Sequence, residues 1–441
     1  MTIWSAGVAA VDSARLVQEH VRRRGQDLEI GGGTFPLSQL DRIVVVGGGK
    51  AGAGMAAGLE QALGADLVEQ RLSGWLNVPA DCVRTLHKIH LHAGRPAGVN
   101  EPTAEGVSGT ERILELVSTL APRDLCIVLL SGGGSALLPA PVDGITLADK
   151  QVVTRQLMEV GATIDELNAV RSCLSRFKGG GLLRAMSGGR GIGLIISDVI
   201  GDPLTVIASG PTVDAAPSAA AALRILQNFV RPEAVPANVL QVLRLQGESV
   251  AGIHPGVRPD FRNVIVGNNQ TAVIAAARQA EKLGYSLARQ STDERGIARD
   301  VGQALADELL AWRHRPAPGR GWCLISGGEP VVQLVATSQP RRGGRNQELV
   351  LAAAERLWSH DLNGITILSG GTDGEDGPTD AAGAFFDAQV RQVATEQGLN
   401  PQPFLAINNS YPFFDAAGGL LRTGPTHTNV MDLRVALVNP R

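Results

Sequence analysis

The position of the glycines constrains this chain more than any other sequence feature. The 441 residues include 54 glycines, and these cluster directly after short apolar runs rich in β-branched residues. The runs are RIVVVGGGKAG from Arg42, LCIVLLSGGGSAL from Leu125, GIGLIISDVIGDP from Gly191, FRNVIVGNNQ from Phe261, GWCLISGGEP from Gly321 and GITILSGGTDGEDG from Gly364. Each run predicts a buried strand that ends in a glycine turn and leads towards a helix. This alternation is typical of α/β folds with parallel sheets, whose ligands bind at the carboxyl ends of the strands.

Periodicity and length predict the domain organisation. Helices are expected at residues 5–24, 50–63, 103–119, 146–160, 270–283, 296–313 and 346–359. The length favours two domains, and the proline-rich polar stretch from Arg231 to Pro259 favours an exposed connection between them. We therefore expect two α/β/α domains with mostly parallel, Rossmann-like sheets, formed by residues 1–245 and 256–441.

Composition argues against several classes of partner. A net charge of −3 with 4% aromatic residues offers neither a basic surface for phosphate backbones nor a stacking surface for bases, so we expect no nucleic-acid partner. The four cysteines are widely spaced, which predicts reduced thiols instead of a zinc site or a disulfide framework. The sequence shows neither a signal-peptide pattern nor an apolar run of membrane-spanning length. We expect a cytoplasmic protein without a membrane partner.

The segment GGGKAG at residues 47–52 follows one predicted strand and begins a predicted helix. Backbone N–H groups around Gly48 and Gly49 would converge with the positive helix end on an anion, and the Lys50 ammonium suits phosphoryl oxygens. The same glycines satisfy the G-x-G-x-x-G dinucleotide fingerprint, with Glu69 as the candidate ribose partner. The alternative is a surface lysine beside a tight turn.

A second glycine turn, SGGGSA from Ser131, repeats this geometry with two hydroxyl groups added. Ser131, Gly133, Gly134 and Ser135 predict a nest of N–H groups for a carboxylate or a phosphate. The alternative is a turn without a ligand. Two such turns on one sheet edge favour a ligand.

Two basic residues follow this turn in the sequence. Arg171 and Lys178 stand seven residues apart, which puts them on one face of a helix, where they could clamp a negatively charged substrate. The alternative is a solvated basic face.

Asp198 and Asp202 lie beyond a predicted strand, in a loop that Gly201 and Pro203 keep from becoming helical. A carboxylate at the carboxyl end of a strand can bind Mg²⁺ or orient a hydroxyl nucleophile. We take Asp198 as a candidate catalytic residue and Asp202 as a candidate metal ligand. The alternative is an Asx turn or a helix cap.

The segment SGGTDGEDGPTD at residues 369–380 is dense in acidic residues. Such density repels itself unless a cation is close, and its oxygen ligands suit magnesium bound with a nucleotide. Asp373 and Asp376 are therefore candidate metal ligands. The alternative is an exposed acidic turn.

Arg345 stands in GGRNQE, just before an Ala- and Leu-rich helix. An arginine at a helix start meets no favourable dipole. We therefore expect Arg345 to reach an anion.

Together, the motifs GGGKAG, SGGGSAL, NAVR, KGGG, SDVIGDP, ASGPT, GGRNQE, SGGTDGEDGPTDAAGA, NNSYPFF and TGPTHTNVMDLRV resemble the glycerate 2-kinase family. These are the class II glycerate kinases, whose C-terminal part is known as the MOFRL domain. The likeness covers nearly the whole chain in the right order. It implies ATP-dependent phosphorylation of D-glycerate to 2-phosphoglycerate with a divalent metal, in an active-site cleft between two α/β domains. ATP and Mg²⁺ are the expected cofactors.

Carried over motif by motif, the resemblance makes Lys50 and Arg345 phosphate-handling residues and Asp198 the acid that orients the hydroxyl. Two segments depart from the family pattern. Residues 94–102 read GRPAGVNEP where relatives often have His-Pro-Val-Pro-Asp, and Asn409 stands where they often have Asp. These departures raise the question of an altered substrate or a weaker metal site.

Two other functions stay open at this point. An NAD(P)-dependent oxidoreductase of the hydroxypyruvate reductase type would fit the dinucleotide fingerprint in GGGKAG. A catalytically silent sensor of sugar acids or nucleotides would fit a ligand cleft without turnover. The sequence also leaves the oligomeric state open, a homo-oligomer included.

Overall fold

The structure is a computed structural model that describes residues 1–213, 217–248 and 260–439. Its strands are β1 Val21–Arg24, β2 Asp27–Ile30, β3 Gly33–Pro36, β4 Ile43–Gly48, β5 Leu72–Pro79, β6 Ile89–Arg95, β7 Leu125–Leu130, β8 Arg190–Ile196, β9 Asp260–Gly267, β10 Tyr285–Glu294, β11 Gly321–Gly328, β12 Ile365–Gly371, β13 Gly383–Asp387, β14 Leu420–Leu421 and β15 Asp432–Val438. Its helices are α1 Thr2–Ala10, α2 Ser13–His20, α3 Gly52–Leu63, α4 Ala65–Arg71, α5 Ala104–Ser118, α6 Gly134–Leu137, α7 Leu147–Glu159, α8 Ile164–Cys173, α9 Gly181–Ala185, α10 Ala219–Phe229, α11 Ala237–Glu248, α12 Asn269–Lys282, α13 Ala298–Arg313, α14 Arg345–Leu357, α15 Ala388–Glu396, α16 Pro401–Ala406 and α17 Ser410–Ala417.

The chain forms two compact units. The N-terminal unit is Ser13–Val266, and the C-terminal unit combines Met1–Asp12 with Gly267–Arg441. This division differs from the expected one because β9, placed in the second domain by the sequence, joins the sheet of the N-terminal unit, while α1 packs on α12. Of the expected connection, residues 249–259 lie outside the described residues.

A six-stranded sheet with the order β6-β5-β4-β7-β8-β9 forms the centre of the N-terminal unit. The strand pairs from β6 to β8 are all parallel. β4 and β7 are buried along their whole length, as expected for apolar strands covered on both faces. The α/β class with a parallel sheet is confirmed for this unit.

The sheet of the C-terminal unit has the order β10-β11-β15-β12-β13-β14. Only β10 and β11 are parallel among its pairs, since β15 inserts antiparallel between β11 and β12 and the remaining pairs are antiparallel too. The expectation of mostly parallel strands is therefore wrong for this sheet. Its α/β character is confirmed, because helices α13 and α14 pack on it through a buried Ala- and Leu-rich cluster.

Six of the predicted helices correspond to α3, α5, α7, α12, α13 and α14, with ends shifted by a few residues. The helix predicted at residues 5–24 is wrong as a single element. The chain forms α1 and α2 and then enters the hairpin of β1 and β2, which turns at Gly25 with a φ of 61°. All four cysteines are free thiols. Within the described part of the chain, no helix has the length and apolarity of a membrane span.

Candidate functional site

Three neighbouring strand ends bring the predicted residues of the N-terminal unit to one sheet edge. β4, β7 and β8 are adjacent and parallel, so the segments that follow them leave the sheet on the same side. These segments carry Lys50, Ser131 and Asp198 respectively. The fold therefore brings the first two glycine turns to the same edge of the sheet, as predicted.

The first glycine loop, residues 47–52, does not form the predicted backbone cradle. The N–H of Gly49 donates to the Asn77 carbonyl at 3.2 Å, that of Lys50 to the Gly132 carbonyl at 2.8 Å, and that of Gly52 to the Gly49 carbonyl at 3.1 Å. The Ala51 N–H is also used inside the protein. The N–H groups of residues 49–52 are therefore not available to a ligand. The phosphate contacts predicted for Gly48 and for the Lys50 side chain stay predictions.

Ser131 links this loop to the second glycine loop, residues 131–135, by a hydrogen bond. Its buried hydroxyl oxygen accepts the Ala51 N–H at 3.0 Å. A Cβ on Gly49, whose φ is 146°, would lie 2.1 Å from the same oxygen. Glycine at this position therefore permits a close approach of two loops, and Ser131 positions Lys50 from within the protein.

The second glycine loop keeps backbone donors available for a ligand. The structure shows no hydrogen bond from the N–H of Gly132, Gly133 or Ser135 to any described residue. Gly133 has a φ of 78°, which gives consecutive N–H groups the concave arrangement that binds anions. The N–H groups of Gly132, Gly133 and Ser135 are therefore available to a ligand, whereas the Gly134 N–H donates to the Ser131 carbonyl at 3.2 Å.

Two cations flank Gly133. A Cβ built on Gly133 would lie 3.4 Å from Lys50 Cγ and 3.4 Å from Arg95 Nη2. Arg95 is only 3% exposed. The segment that departs from the family pattern thus supplies a buried guanidinium beside the second glycine loop, a role that the sequence did not predict.

Hydrogen bonds extend the second glycine loop towards the predicted basic pair. Ser135 Oγ lies 2.7 Å from Ser209 Oγ, which also contacts Asn168 Oδ1 at 3.1 Å. Lys178 Nζ donates to the Ser135 carbonyl at 2.9 Å. Burial lowers the pKa of Lys178 well below its ordinary value, and the charges of Lys150 and Arg171 lower it further. The prediction that Arg171 and Lys178 share one helix face is wrong, because α8 ends at Cys173, before Lys178. Arg171 is half-buried and Lys178 is buried, so the pair is not a solvated face.

The turn that contains Ser209 is strained. Ala208 and Ser209 both have left-handed backbone conformations, with φ values of 50° and 62°. Carbonyls of this turn accept the N–H groups of Gly179 and Gly180, which fixes the loop that carries Lys178. Strain of this kind is common at ligand sites, and its sequence signal was the motif ASGPT, to which no role was given.

The two aspartates of the next loop differ in conformation. Asp198 is half-buried, directly beyond β8. Asp202 has a left-handed φ of 54°, and its N–H donates to the Val199 carbonyl at 3.1 Å. The place of Asp198 at the sheet edge agrees with the prediction, and the roles of both residues stay predictions.

The dinucleotide alternative finds little support in this geometry. Glu69 lies within α4, before β5 begins, whereas the fingerprint requires an acid beyond a strand. Its carboxylate pairs with Lys88 at 2.8 Å. Glu69 therefore does not stand where the fingerprint needs an acid for the ribose. The N–H groups that would bind the pyrophosphate at residues 49–52 are also used within the protein.

In the C-terminal unit, Arg345 does reach an anion, and that anion belongs to the protein. Its Nε and Nη2 donate to the two carboxylate oxygens of Asp432 at 2.8 and 2.9 Å, and its Nη1 lies 2.9 Å from Glu329 Oε1. Burial alone would lower the pKa of Arg345, but the charge and hydrogen bonds of Asp432 raise it. Asp432 holds the guanidinium in one orientation, with a third of the Arg345 side chain exposed.

Asp376 caps a helix and does not fit a magnesium ligand. Its carboxylate accepts the N–H of Asn346 at 3.0 Å and that of Gln347 at 2.9 Å, at the start of α14. Burial raises its pKa to about 7, against the lowering effect of these hydrogen bonds. This capping role argues against the metal role predicted for Asp376, because its oxygens already serve the helix end.

The remaining acids of this loop also have protein partners. Asp373 Oδ1 accepts the Glu375 N–H at 3.0 Å, and Asp380 accepts the Tyr411 hydroxyl at 2.6 Å. Nowhere in the described ranges do three His, Cys, Asp or Glu side chains gather as metal ligands would. Magnesium bound with a nucleotide needs only one or two protein carboxylates, so Asp202 and Asp373 stay predicted ligands.

The departure at Asn409 preserves a structural contact. Its side-chain oxygen accepts the Arg342 N–H at 2.8 Å, and the Tyr411 N–H donates to the Arg342 carbonyl at 3.0 Å. An aspartate would offer the same acceptor. The exchange therefore gives no sign of a weaker metal site.

Comparisons with known proteins place this geometry in a family. Residues 1–244 match the family model described as a domain of unknown function (DUF4147), and residues 322–432 match that of the MOFRL family. The chain is 38% identical to a glycerate kinase of Danio rerio, over 99% of this chain and 97% of that protein. It is 34% identical to a D-glycerate 2-kinase of Thermotoga maritima, over 92% of this chain and 93% of that protein.

A solved structure agrees with these sequence matches. The crystal structure of a glycerate kinase from Thermotoga maritima matches the fold with a TM-score of 0.83 and 32% identity, and the match covers 99% of this chain and 97% of that one. The chain belongs to the glycerate 2-kinase family.

Proposed function

We propose that this protein transfers the γ-phosphoryl group of ATP to the 2-hydroxyl group of D-glycerate. Full-length similarity to glycerate kinases supports the reaction class. The observation that carries the site is the convergence of Lys50, the second glycine loop and Asp198 at three adjacent strand ends. An ammonium group, free N–H donors and a carboxylate at one edge suit a small phosphorylated acid.

Phosphoryl transfer requires positioning and charge neutralisation more than covalent chemistry from the protein. In the N-terminal unit, Lys50 contacts the transferred phosphoryl group, and Ser131 holds the loop that carries it. In the C-terminal unit, Arg345 handles phosphate oxygens through Nη1, the nitrogen that Asp432 does not hold and that pairs with the exposed side chain of Glu329. Each cation stabilises negative charge that the transition state spreads over these oxygens.

The acceptor acid is held by the second glycine loop. The N–H groups of Gly132, Gly133 and Ser135 bind the carboxylate of glycerate, and Gly134, whose own N–H donates to the Ser131 carbonyl at 3.2 Å, completes the turn of the nest. Asp198 accepts a hydrogen bond from the 2-hydroxyl group and so orients the hydroxyl oxygen towards the phosphorus atom. This arrangement selects a hydroxyl next to a carboxylate.

A divalent metal such as Mg²⁺ supplies charge neutralisation on the nucleotide phosphates when bound. Asp202 and Asp373 are the proposed protein ligands, and Asp376 is not among them. A cytoplasmic location and a homo-oligomeric state stay predictions from the sequence.

The test is product identification with purified protein, ATP, Mg²⁺ and D-glycerate. Enolase without a phosphoglycerate mutase converts only the 2-phosphate, so a signal under these conditions supports the proposal. Absorbance change that needs a nicotinamide nucleotide and no ATP would favour the oxidoreductase instead. Stabilisation by ligands without turnover would favour a sensor.

A further inference from the structure

The N-terminal unit contains a cluster of three basic residues, with Lys150 on α7, the half-buried Arg171 on α8 and Lys178 beyond the end of α8. Lys150 and Lys178 are 8% and 4% exposed. Lys150 Nζ is buried without a hydrogen-bond partner among the described residues. Sequence reasoning singled out Arg171 and Lys178 and gave no role to Lys150.

No carboxylate compensates the cluster in the described part of the structure. No ion pair to Lys150, Arg171 or Lys178 occurs there, and the one side-chain bond of Lys178 goes to the neutral carbonyl of Ser135. Burial lowers the pKa of Lys150 to about 7, and the charge of Arg171 contributes. Burial also lowers the pKa of Arg171. Buried cations without a counter-charge are costly, so proteins seldom keep three together unless an anion joins them.

Asn168 gives a second sign of an absent ligand. It lies on α8 three residues before Arg171, which puts both on one helix face. Its Oδ1 is engaged by Ser209, and this fixes the amide so that Nδ2 is buried without a hydrogen-bond partner in the described residues. An unsatisfied amide donor in the same cluster as the unsatisfied ammonium group of Lys150 indicates a ligand that accepts hydrogen bonds.

We propose that Lys150, Arg171 and Lys178, with Asn168 Nδ2, bind a phosphate group that carries at least two negative charges. A monocarboxylate brings one charge and would leave most of the cluster uncompensated. A phosphate monoester or a nucleotide polyphosphate brings two or more, with oxygens in a geometry that several N–H donors can share. The inference rests on the proposed function for its two sources of such a group, the nucleotide and the phosphorylated product.

The experiment compares the wild type with Lys150→Met, which keeps the length of the side chain and removes its charge. Arg155→Met is the matched control, because Arg155 is exposed on the same helix. ADP, 2-phosphoglycerate and glycerate are each titrated by calorimetry without any second substrate, and the thermal unfolding of each unliganded protein is recorded. Binding is thus measured separately from turnover.

The proposal expects Lys150→Met to bind ADP or 2-phosphoglycerate about tenfold or more weakly, as for a lost charged hydrogen bond. The unliganded variant should unfold at a higher temperature than the wild type, because a buried unpaired charge is gone. Loss in the ADP titration assigns the site to the nucleotide, and loss in the 2-phosphoglycerate titration assigns it to the product. Wild-type affinity for both, or a loss confined to glycerate, would overturn the inference.

The same measurements distinguish a failure of the proposed function from a failure of the binding site. A wild-type protein that binds these phosphates through Lys150 but transfers no phosphoryl group would refute the kinase reaction and leave the binding site standing. A wild-type protein that turns over glycerate while Lys150→Met binds normally would refute the binding site alone.

Discussion

Arg345 and Asp432 form a two-point ion pair, in which Nε and Nη2 of the arginine donate to both carboxylate oxygens at 2.8 and 2.9 Å. Asp432 is fully buried, while the arginine is one-third exposed. The aspartate therefore fixes the orientation of the guanidinium and leaves Nη1, which lies 2.9 Å from Glu329 Oε1, as the nitrogen outside the pair. This relationship explains why an arginine can stand at the first position of α14.

Asp432→Asn should weaken both stability and turnover. The amide cannot accept both hydrogen bonds or balance the charge, so we expect a loss of about 3 kcal/mol in the free energy of unfolding, as for other broken buried pairs. Urea unfolding measures this loss, and kcat should fall because Arg345 is no longer held in place.

Glu329→Gln is the matched control for this change. Glu329 contacts the same guanidinium, but its side chain is 46% exposed, so the variant should lose no more than about 1 kcal/mol. Equal losses in the two variants would contradict the positioning role of Asp432.

Gly49→Ala should be severely destabilising because its Cβ would lie 2.1 Å from Ser131 Oγ. Overpacking and backbone strain together predict a loss of about 3 kcal/mol or more. Gly25→Ala provides the comparison, since Gly25 also has a positive φ but has no atom within 4 Å of its Cβ position. That variant should lose about 1 kcal/mol, and denaturant midpoints that fell equally would refute the loop contact.

Stability should depend on pH through Lys150. Its pKa is about 7 in the folded protein against an ordinary value of 10.5, so between these values the unfolded chain binds a proton that the folded protein lacks. The free energy of unfolding should therefore rise as the pH increases from about 7 towards 10.5. Unfolding measured in urea at pH 7 and 9 should show this rise in the wild type and a smaller one in Lys150→Met. An equal rise in both would mean that Lys150 does not titrate in this range.

In the N-terminal unit, β4, β7, β8 and β9 could be predicted because each is a short apolar run that ends at glycines or a loop. β5 and β6 of the same sheet lack this pattern and were not predicted. The antiparallel sheet of the C-terminal unit could not be predicted, since β15 comes from the end of the chain and inserts between β11 and β12. Nothing in the local pattern of DLRVALV indicates which strands it will join.

The same distinction applies to the site residues. Lys50 and Asp198 follow strands directly, so their place at the sheet edge was predictable. The roles of Lys150 and Asp432 depend on residues far away in the sequence, namely Arg171 for Lys150 and Arg345 for Asp432. The local sequence around either residue does not show these contacts. The capping role of Asp376 could not be predicted, because an acid in a glycine-rich loop gives no sign that it will cap α14.

We predict that Lys50 and Arg345 each contribute to phosphoryl transfer to the 2-hydroxyl of glycerate. The most direct measurement is kcat/KM for Lys50→Ala and Arg345→Ala in the enolase-coupled assay without mutase. We expect 2-phosphoglycerate formation by the wild type and a loss of about 2–4 kcal/mol in transition-state stabilisation for each variant, as for removal of one oxyanion donor. Wild-type turnover in both variants would contradict this prediction.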